Sequence, residues 1–310
     1  MLKRAAFRRI ILASLALVIL LIIYFFPDKE SYINESLSYV EKIEMPIFLI
    51  DKMNYVARTT IVKKNEIKTD VIKEIIDALT IEGTKSSYIP NGFSAIIPKN
   101  TKLLSMDLKE GLLKLNFSKE FLDVSKEFEN KLIEALIFSL TEMGEVEKIM
   151  IFIEDKQLTK LPHSNKELPN TLDKTYGINK IYNIETLKDT SKTTIYYLSK
   201  NNDFYYYVPV TEVSNEHIER VEIIIKNLKT TPIYHTNLIS YLTASANLLS
   251  YQLLENSISL SFNNKILANI EEKDILEEVK YSISLSLRDT YGINTVIFNV
   301  DNEKIDTAHV

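Results

Sequence analysis

The sequence predicts an α+β protein built from two tandem ββαββαβ units. Each unit is a sheet with two helices on one face, and a single N-terminal transmembrane helix precedes them. Three observations predict this. Leu103–Phe117 recurs as Leu248–Phe262 with seven of fifteen positions identical, which points to a duplicated domain. Two helical stripes recur at nearly the same offset. Ile72, Ile75 and Leu79 match Ile218, Val221 and Ile225, while Phe128, Leu132, Leu136 and Leu140 match Ile275, Val279, Ile283 and Leu287. Near the start, an apolar run from Ile10 to Phe26 follows Lys3, Arg4, Arg8 and Arg9.

That run is long enough, as a helix of about 25 Å, to reach the short end of the bilayer range. Its basic flank keeps the N-terminus cytoplasmic and sends everything after Phe26 outside. The expected location is therefore the cell membrane, single-pass, with the bulk of the chain extracytoplasmic. A cleaved signal peptide would need small residues at the end of the run, and Tyr24-Phe25-Phe26-Pro27 has none. Residues 1–26 are the flank and anchor, and 27–45 a polar stalk.

The first unit is expected over 46–160. Pro46 to Ile50 and Tyr55 to Val62 read as strands around a turn. The Ile72 stripe gives a helix stopped by Gly83. The repeated stretch is a hairpin turning at Glu110-Gly111, and at Glu255-Asn256 in the second copy. Gly and Asn tolerate a positive φ, and the residues after each turn alternate. Leu113, Leu115 and Phe117 face one way, as do Ile258, Leu260 and Phe262. The Phe128 stripe is the second helix, and Lys148 to Ile153 closes the unit.

Pro162, Pro169, Asn165 and Asn170 mark a connector over 161–190. Within it Thr175-Tyr176-Gly177-Ile178-Asn179 reappears as Thr290-Tyr291-Gly292-Ile293-Asn294. Either the match is chance, or the segment packs on a domain edge and stiffens the connector. The second unit is expected over 191–310. Tyr281 to Leu287 alternates like a strand, but its place in the repeat makes it helix. Thr295 to Val300 is the closing strand.

Composition narrows the chemistry. No cysteine occurs, which excludes disulfides, thiolate metal sites, a Cys nucleophile and a lipidated Cys. The six glycines are scattered rather than clustered as a phosphate cradle needs. A net charge of −5 gives no sign of a nucleic-acid partner. The four histidines, His163, His217, His235 and His309, have no metal-ligand spacing. Glu271-Glu272 and Glu277-Glu278 fall on a predicted polar helix face, as solvated charges do. No catalytic, metal or cofactor residues are expected, and the chain reads as no enzyme. The tyrosines Tyr205, Tyr206 and Tyr207, with Tyr196 and Tyr197 opposite, are the candidate interaction surface. Such a strip is either a set of cross-strand pairs, a stacking site for glycan chains or a protein interface. The strands Tyr55–Val62 and Phe204–Val210 are its expected open edges.

The segment Gly92-Phe93-Ser94-Ala95-Ile96-Ile97-Pro98-Lys99-Asn100-Thr101-Lys102-Leu103-Leu104-Ser105 resembles the signature of the GerMN domain family. That signature runs from a Gly-hydrophobic pair through Ile-Pro-x-x-Thr to a Leu-Leu hairpin. The second unit, with Leu238 to Asn247 in place of the motif, keeps only the hairpin and helix stripes. The resemblance implies tandem domains similar to the ring-building motif of secretion systems. It implies a non-enzymatic extracytoplasmic component of sporulation or spore germination, acting as an assembly or scaffold element at the forespore–mother cell boundary. Its expected partners are the membrane and either further copies of itself or other envelope and sporulation proteins. A cell-wall (peptidoglycan) glycan-binding module and a wall hydrolase are the other readings. The family's familiar lipoprotein is held by a lipidated Cys; this chain, having none, would be held by its helix.

Overall fold

The computed structural model describes residues 14–18, 20–21, 44–186, 188–202, 204–230, 237–301 and 303–310. Residues 14–18 and 20–21 are helical and exposed. Most of the predicted anchor, Ile10 to Phe26, and nearly all of the stalk lie outside the described residues. Among the described residues no helix is long and apolar enough to cross a membrane.

Residues 42–310 form one compact unit that contains both repeats. The first repeat runs β1 (Glu44–Asp51), β2 (Val56–Val62), α1 (Lys68–Leu79), β3 (Phe93–Ser94), β4 (Leu103–Lys109), β5 (Leu112–Phe117), α2 (Glu129–Thr141), β6 (Lys148–Ile153) and β7 (Lys156–Gln157). The connector supplies β8 (Ile181–Asn183). The second repeat runs β9 (Ser191–Asn201), β10 (Phe204–Ser214), α3 (Arg220–Leu228), β11 (Leu248–Leu253), β12 (Ser257–Phe262), α4 (Glu277–Tyr291), β13 (Thr295–Val300) and β14 (Glu303–His309). Each repeat thus carries a closing strand beyond the predicted order. The charged sequence of β14 conceals it.

The strands do not divide into one sheet per repeat. β4-β5-β6-β7 and β11-β12-β13-β14 are separate four-stranded sheets, each with its middle pair parallel. The two opening hairpins, β3 and β8 instead share a six-stranded sheet, in which β2 meets β10 antiparallel at Arg58 and Tyr207. The expected open edges, β2 and β10, therefore face each other. Each already paired with its hairpin partner, and an unpaired second edge is satisfied by the other repeat.

The middle helices explain the layering. α2 contacts β1, β2 and β6, and α4 contacts β9, β13 and β14, so each is enclosed by two sheets. Enclosure demands a helix buried all round. In α4, Ser282, Ser284 and Ser286 are buried together with Val279, Ile283, Leu285 and Leu287. The strand-like alternation of this segment is thus a helix whose small-residue side is also covered. Ser286 Oγ accepts the Tyr196 N–H of β9 at 2.9 Å, and Ser139 Oγ of α2 accepts the Phe48 N–H of β1 at 2.9 Å. In both repeats a buried helix hydroxyl caps the same N–H on the opening strand, which would otherwise be an unpaired buried donor.

The repeated hairpins share their register, their bulge and their buried side. Leu103 pairs Phe117 and Leu248 pairs Phe262, and each is followed by a bulge at the second leucine, Leu104 or Leu249. Leu113, Leu115, Phe117, Ile258, Leu260 and Phe262 are all fully buried. The turns differ. Glu110 and Gly111 take positive φ of 48° and 77°, but Asn256 stays out of that region. The Tyr-Gly-Ile-Asn match also has no structural counterpart. Lys174–Tyr176 is a 3-10 turn of the connector, whereas Tyr291 ends α4 and Gly292 caps it at φ 69°.

Candidate interaction surfaces

The connector turn builds the joint between repeats. Pro209 interrupts β10 on the side facing β2, since proline has no N–H to give a ladder. Asn179 fills that gap with its side-chain amide. Its Nδ2 donates to Val56 O and Pro209 O, both at 2.8 Å, and its Oδ1 accepts the Val56 N–H at 3.0 Å. Ile178 exchanges backbone and hydroxyl bonds with Thr211 beside it. Lys180 pairs with the buried Glu134 of α2 at 2.8 Å and stands 4.0 Å from the centre of the Tyr176 ring.

A second cluster closes the joint where α2 and α4 end. Helix C-termini favour cations, and two stand here. Arg288 donates to both Glu142 oxygens, at 3.1 and 2.6 Å, and Lys174 bridges Glu142 and Asp289 at 2.9 and 2.7 Å. The Tyr196 hydroxyl donates to Asp289 at 2.5 Å. Burial alone would raise the Asp289 carboxyl, but Lys174 and Arg288 outweigh it and hold the group well below the usual range. Glu142 and Asp289 are nearly inaccessible, at 4% and 1% side-chain exposure, so the cluster is a buried ion network rather than surface decoration.

The five predicted tyrosines separate in this frame. Tyr196, Tyr197 and Tyr206 are buried and cannot be a surface. The Tyr206 hydroxyl donates to Asp51 Oδ2 at 2.9 Å across the joint, and its ring meets Phe93 edge-on at 4.9 Å. Burial, helped by the Asp51 carboxylate against a bond with Ser199, pushes Tyr206 up to about 12. Tyr207 is half-buried, 6.5 Å from Tyr281. Tyr205 is exposed, its ring 6.2 Å from the also exposed Tyr241, whose hydroxyl donates to its own. Strand alternation separated the two faces of β10. Which face lies open depends on the other repeat and on α4.

The Gly-Phe…Ile-Pro-x-x-Thr segment also touches the joint. Gly92 has φ +97°, and a Cβ there would lie 2.0 Å from Asn201 Nδ2 of β9. That nitrogen donates to Asn91 O at 2.7 Å. Ile96 and Ile97 both donate to Leu79 O, satisfying an orphan carbonyl at the end of α1. Thr101 donates through both N–H and hydroxyl to Pro98 O, closing the turn. Beside the segment opens a cleft of about 880 Å³ between Ile81, Ala95, Ile96, Pro98, Val124 and Phe128. Sequence reasoning found the motif but not the cleft, part of whose wall comes from the approach to α2, Glu120 to Phe128.

Three of the four histidines fall among the described residues. His163 Nε2 lies 2.6 Å from Val124 O, and its N–H binds the buried Glu129. His217 and His309 are exposed, and His235 lies outside the described residues. Among the described residues no group of three or more His, Cys, Asp or Glu could hold a metal.

Residues 23–159 match the Germane family, described as sporulation and spore germination. The spore germination protein GerM of Bacillus subtilis is 29% identical over 263 residues, 83% of this chain and 71% of that protein. The solved tandem GerMN domains of the sporulation protein GerM from the same organism align with a TM-score of 0.77 at 28% identity, covering 84% of this chain and 92% of that one. Over most of its length the chain is thus similar to a protein with tandem GerMN domains. Its mixed α+β fold is that of tandem GerMN domains, and its kinship is with proteins of sporulation and spore germination.

Proposed function

We propose that the chain is a non-enzymatic, membrane-anchored, extracytoplasmic component of sporulation or spore germination, acting as a scaffold through its two GerMN repeats. The observation that carries this reading is the joint. Asn179, Arg288 and Lys174 spend buried polar groups on fixing one repeat against the other. Such a fixed pair suits a part whose work is to present surfaces at a set spacing. The basic flank and apolar run before residue 27 support the anchor, and tethering raises the effective concentration of neighbours, so weak contacts suffice for assembly with copies of itself or with other envelope proteins.

A wall-binding role has one supporting feature, the exposed Tyr205 and Tyr241 rings, which can stack on sugars. Sedimentation with purified peptidoglycan reads that role directly. The main reading is tested by producing the chain in a Bacillus subtilis strain lacking GerM and counting heat-resistant spores. Restoration by the full chain, but not by a form without residues 1–26, supports it. Equal restoration by both forms, or by neither, contradicts it.

A further inference from the structure

Edge strands across this fold differ in how they are guarded. β4 carries Asp107 and Lys109, β9 carries Lys192 and Lys200, and β14 carries Glu303, Lys304 and Asp306. Charges of this kind discourage a further strand from adding. β11 has no charged residue, and neither has Leu254 after it. It pairs β12 on one edge, and among the described residues no strand pairs with the other. The hairpin fixes which groups point outward. Leu254 N–H donates to Ser257 O at 2.8 Å, so the alternation of an antiparallel pair turns Gln252 and Ser250 towards β12 and leaves Tyr251 and Leu253 facing out. The bulge at Leu249 lies at the strand's far end and leaves this stretch regular.

The open edge is also the floor of a groove. A cleft of about 630 Å³ lies between β11 and α3, lined by Ile225, Lys229, Leu248, Leu249 and Tyr251 among others. A row of outward N–H and C=O groups beside a helix is the arrangement in which an extended peptide adds to a sheet. The wall carries a charge to be met. Lys226 is already paired with Glu216, but Lys229 Nζ bonds only the neutral Asn247 Oδ1, at 2.8 Å, and no carboxylate among the described residues lies within ion-pair distance of it. Leu249 and Leu253 stand exposed along the strand and offer apolar contact to alternate residues of an incoming chain.

We propose that the cleft between β11 and α3 receives an extended segment of a partner protein, which adds to β11 as a further strand and brings a carboxylate to Lys229. The inference rests on the scaffold reading and specifies where contact is made. The test titrates the full chain in detergent with a fluorescein-labelled peptide of alternating Val and Thr carrying one central Glu. Anisotropy is expected to rise saturably. Leu253→Pro, which removes an outward N–H at an exposed edge position, and Leu249→Lys, which guards the edge without changing the backbone, are each expected to weaken binding by about tenfold. Lys229→Glu is expected to shift preference to the same peptide carrying Lys for Glu. Absence of saturable binding, or equal binding by both edge variants with unchanged circular dichroism, overturns the proposal. Concentration-dependent dimers of the chain that both edge variants abolish overturn it in favour of a second copy. Spore counts read the scaffold role separately, so either idea can fail alone.

Discussion

Arg288, in the last turn of α4, grips both oxygens of Glu142, which caps α2 in the other repeat, at 3.1 and 2.6 Å. Removing the guanidinium would leave two inaccessible carboxylates with Lys174 and, 3.8 Å from Glu142, Arg58 as the remaining cations. Arg288→Ala is expected to cost about 3–5 kcal/mol, the range for breaking one side of a buried ion pair. Urea unfolding of the full chain in detergent measures it, and a loss below about 1 kcal/mol would mean the network is solvated in solution.

Acid should loosen the same joint. Asp289 has a folded pKa held below its unfolded value near 4, so its contribution is present above about pH 4 and is lost as pH falls through the folded value. Glu129 and Glu74 act with the same sign. Asp51 acts with the opposite sign. Burial raises it, against bonds from Tyr55, Tyr206 and Met53, so its ionisation costs stability as pH rises through its folded value. Thermal melts are expected to fall as pH drops from about 6 to about 3, with a shallower fall in Asp289→Asn. Identical slopes for the two proteins would remove Asp289 from the account.

Gly92 is constrained twice, by its positive φ and by Asn201. Gly92→Ala is expected to destabilise by about 1–3 kcal/mol. Gly144, also at positive φ but with nothing within 4 Å of a Cβ, is the control and should lose less. Equal losses would show that the approach of Asn201 carries no weight.

Phe117 and Phe262 hold the same buried position in the two repeats. Phe117→Ala and Phe262→Ala should each cost about 3–5 kcal/mol in denaturant unfolding. A near-neutral result at either site would contradict the shared core position.

The hairpins, the four helices and the strands β6 and β13 were legible because their periodicity is local and repeated. Even the helix at Tyr281 to Leu287 followed from repetition against its own alternation. The joint was not legible. Asn179, Lys174 and Arg288 meet strands and helix ends far away in sequence, and no spacing encodes such meetings. Tyr206 and Tyr205 are neighbours with the same side chain, yet one is buried against Asp51 and Phe93 while the other faces out. Polar β14 was read past because an edge strand need not alternate apolar and polar residues. The cleft beside β11 was hidden for the reverse reason, since its floor is an unpaired backbone edge.

The central claim is that the two GerMN repeats are joined into one unit by the Asn179 and Arg288 contacts. Hydrogen exchange with mass-spectrometric readout tests it most directly, by following β5 in the first repeat and β12 in the second in the same sample. The account predicts that both strands open with the same free energy in the native chain, and that Arg288→Ala with Asn179→Ala lets β12 open separately from β5. Independent opening of β5 and β12 in the native chain would contradict it.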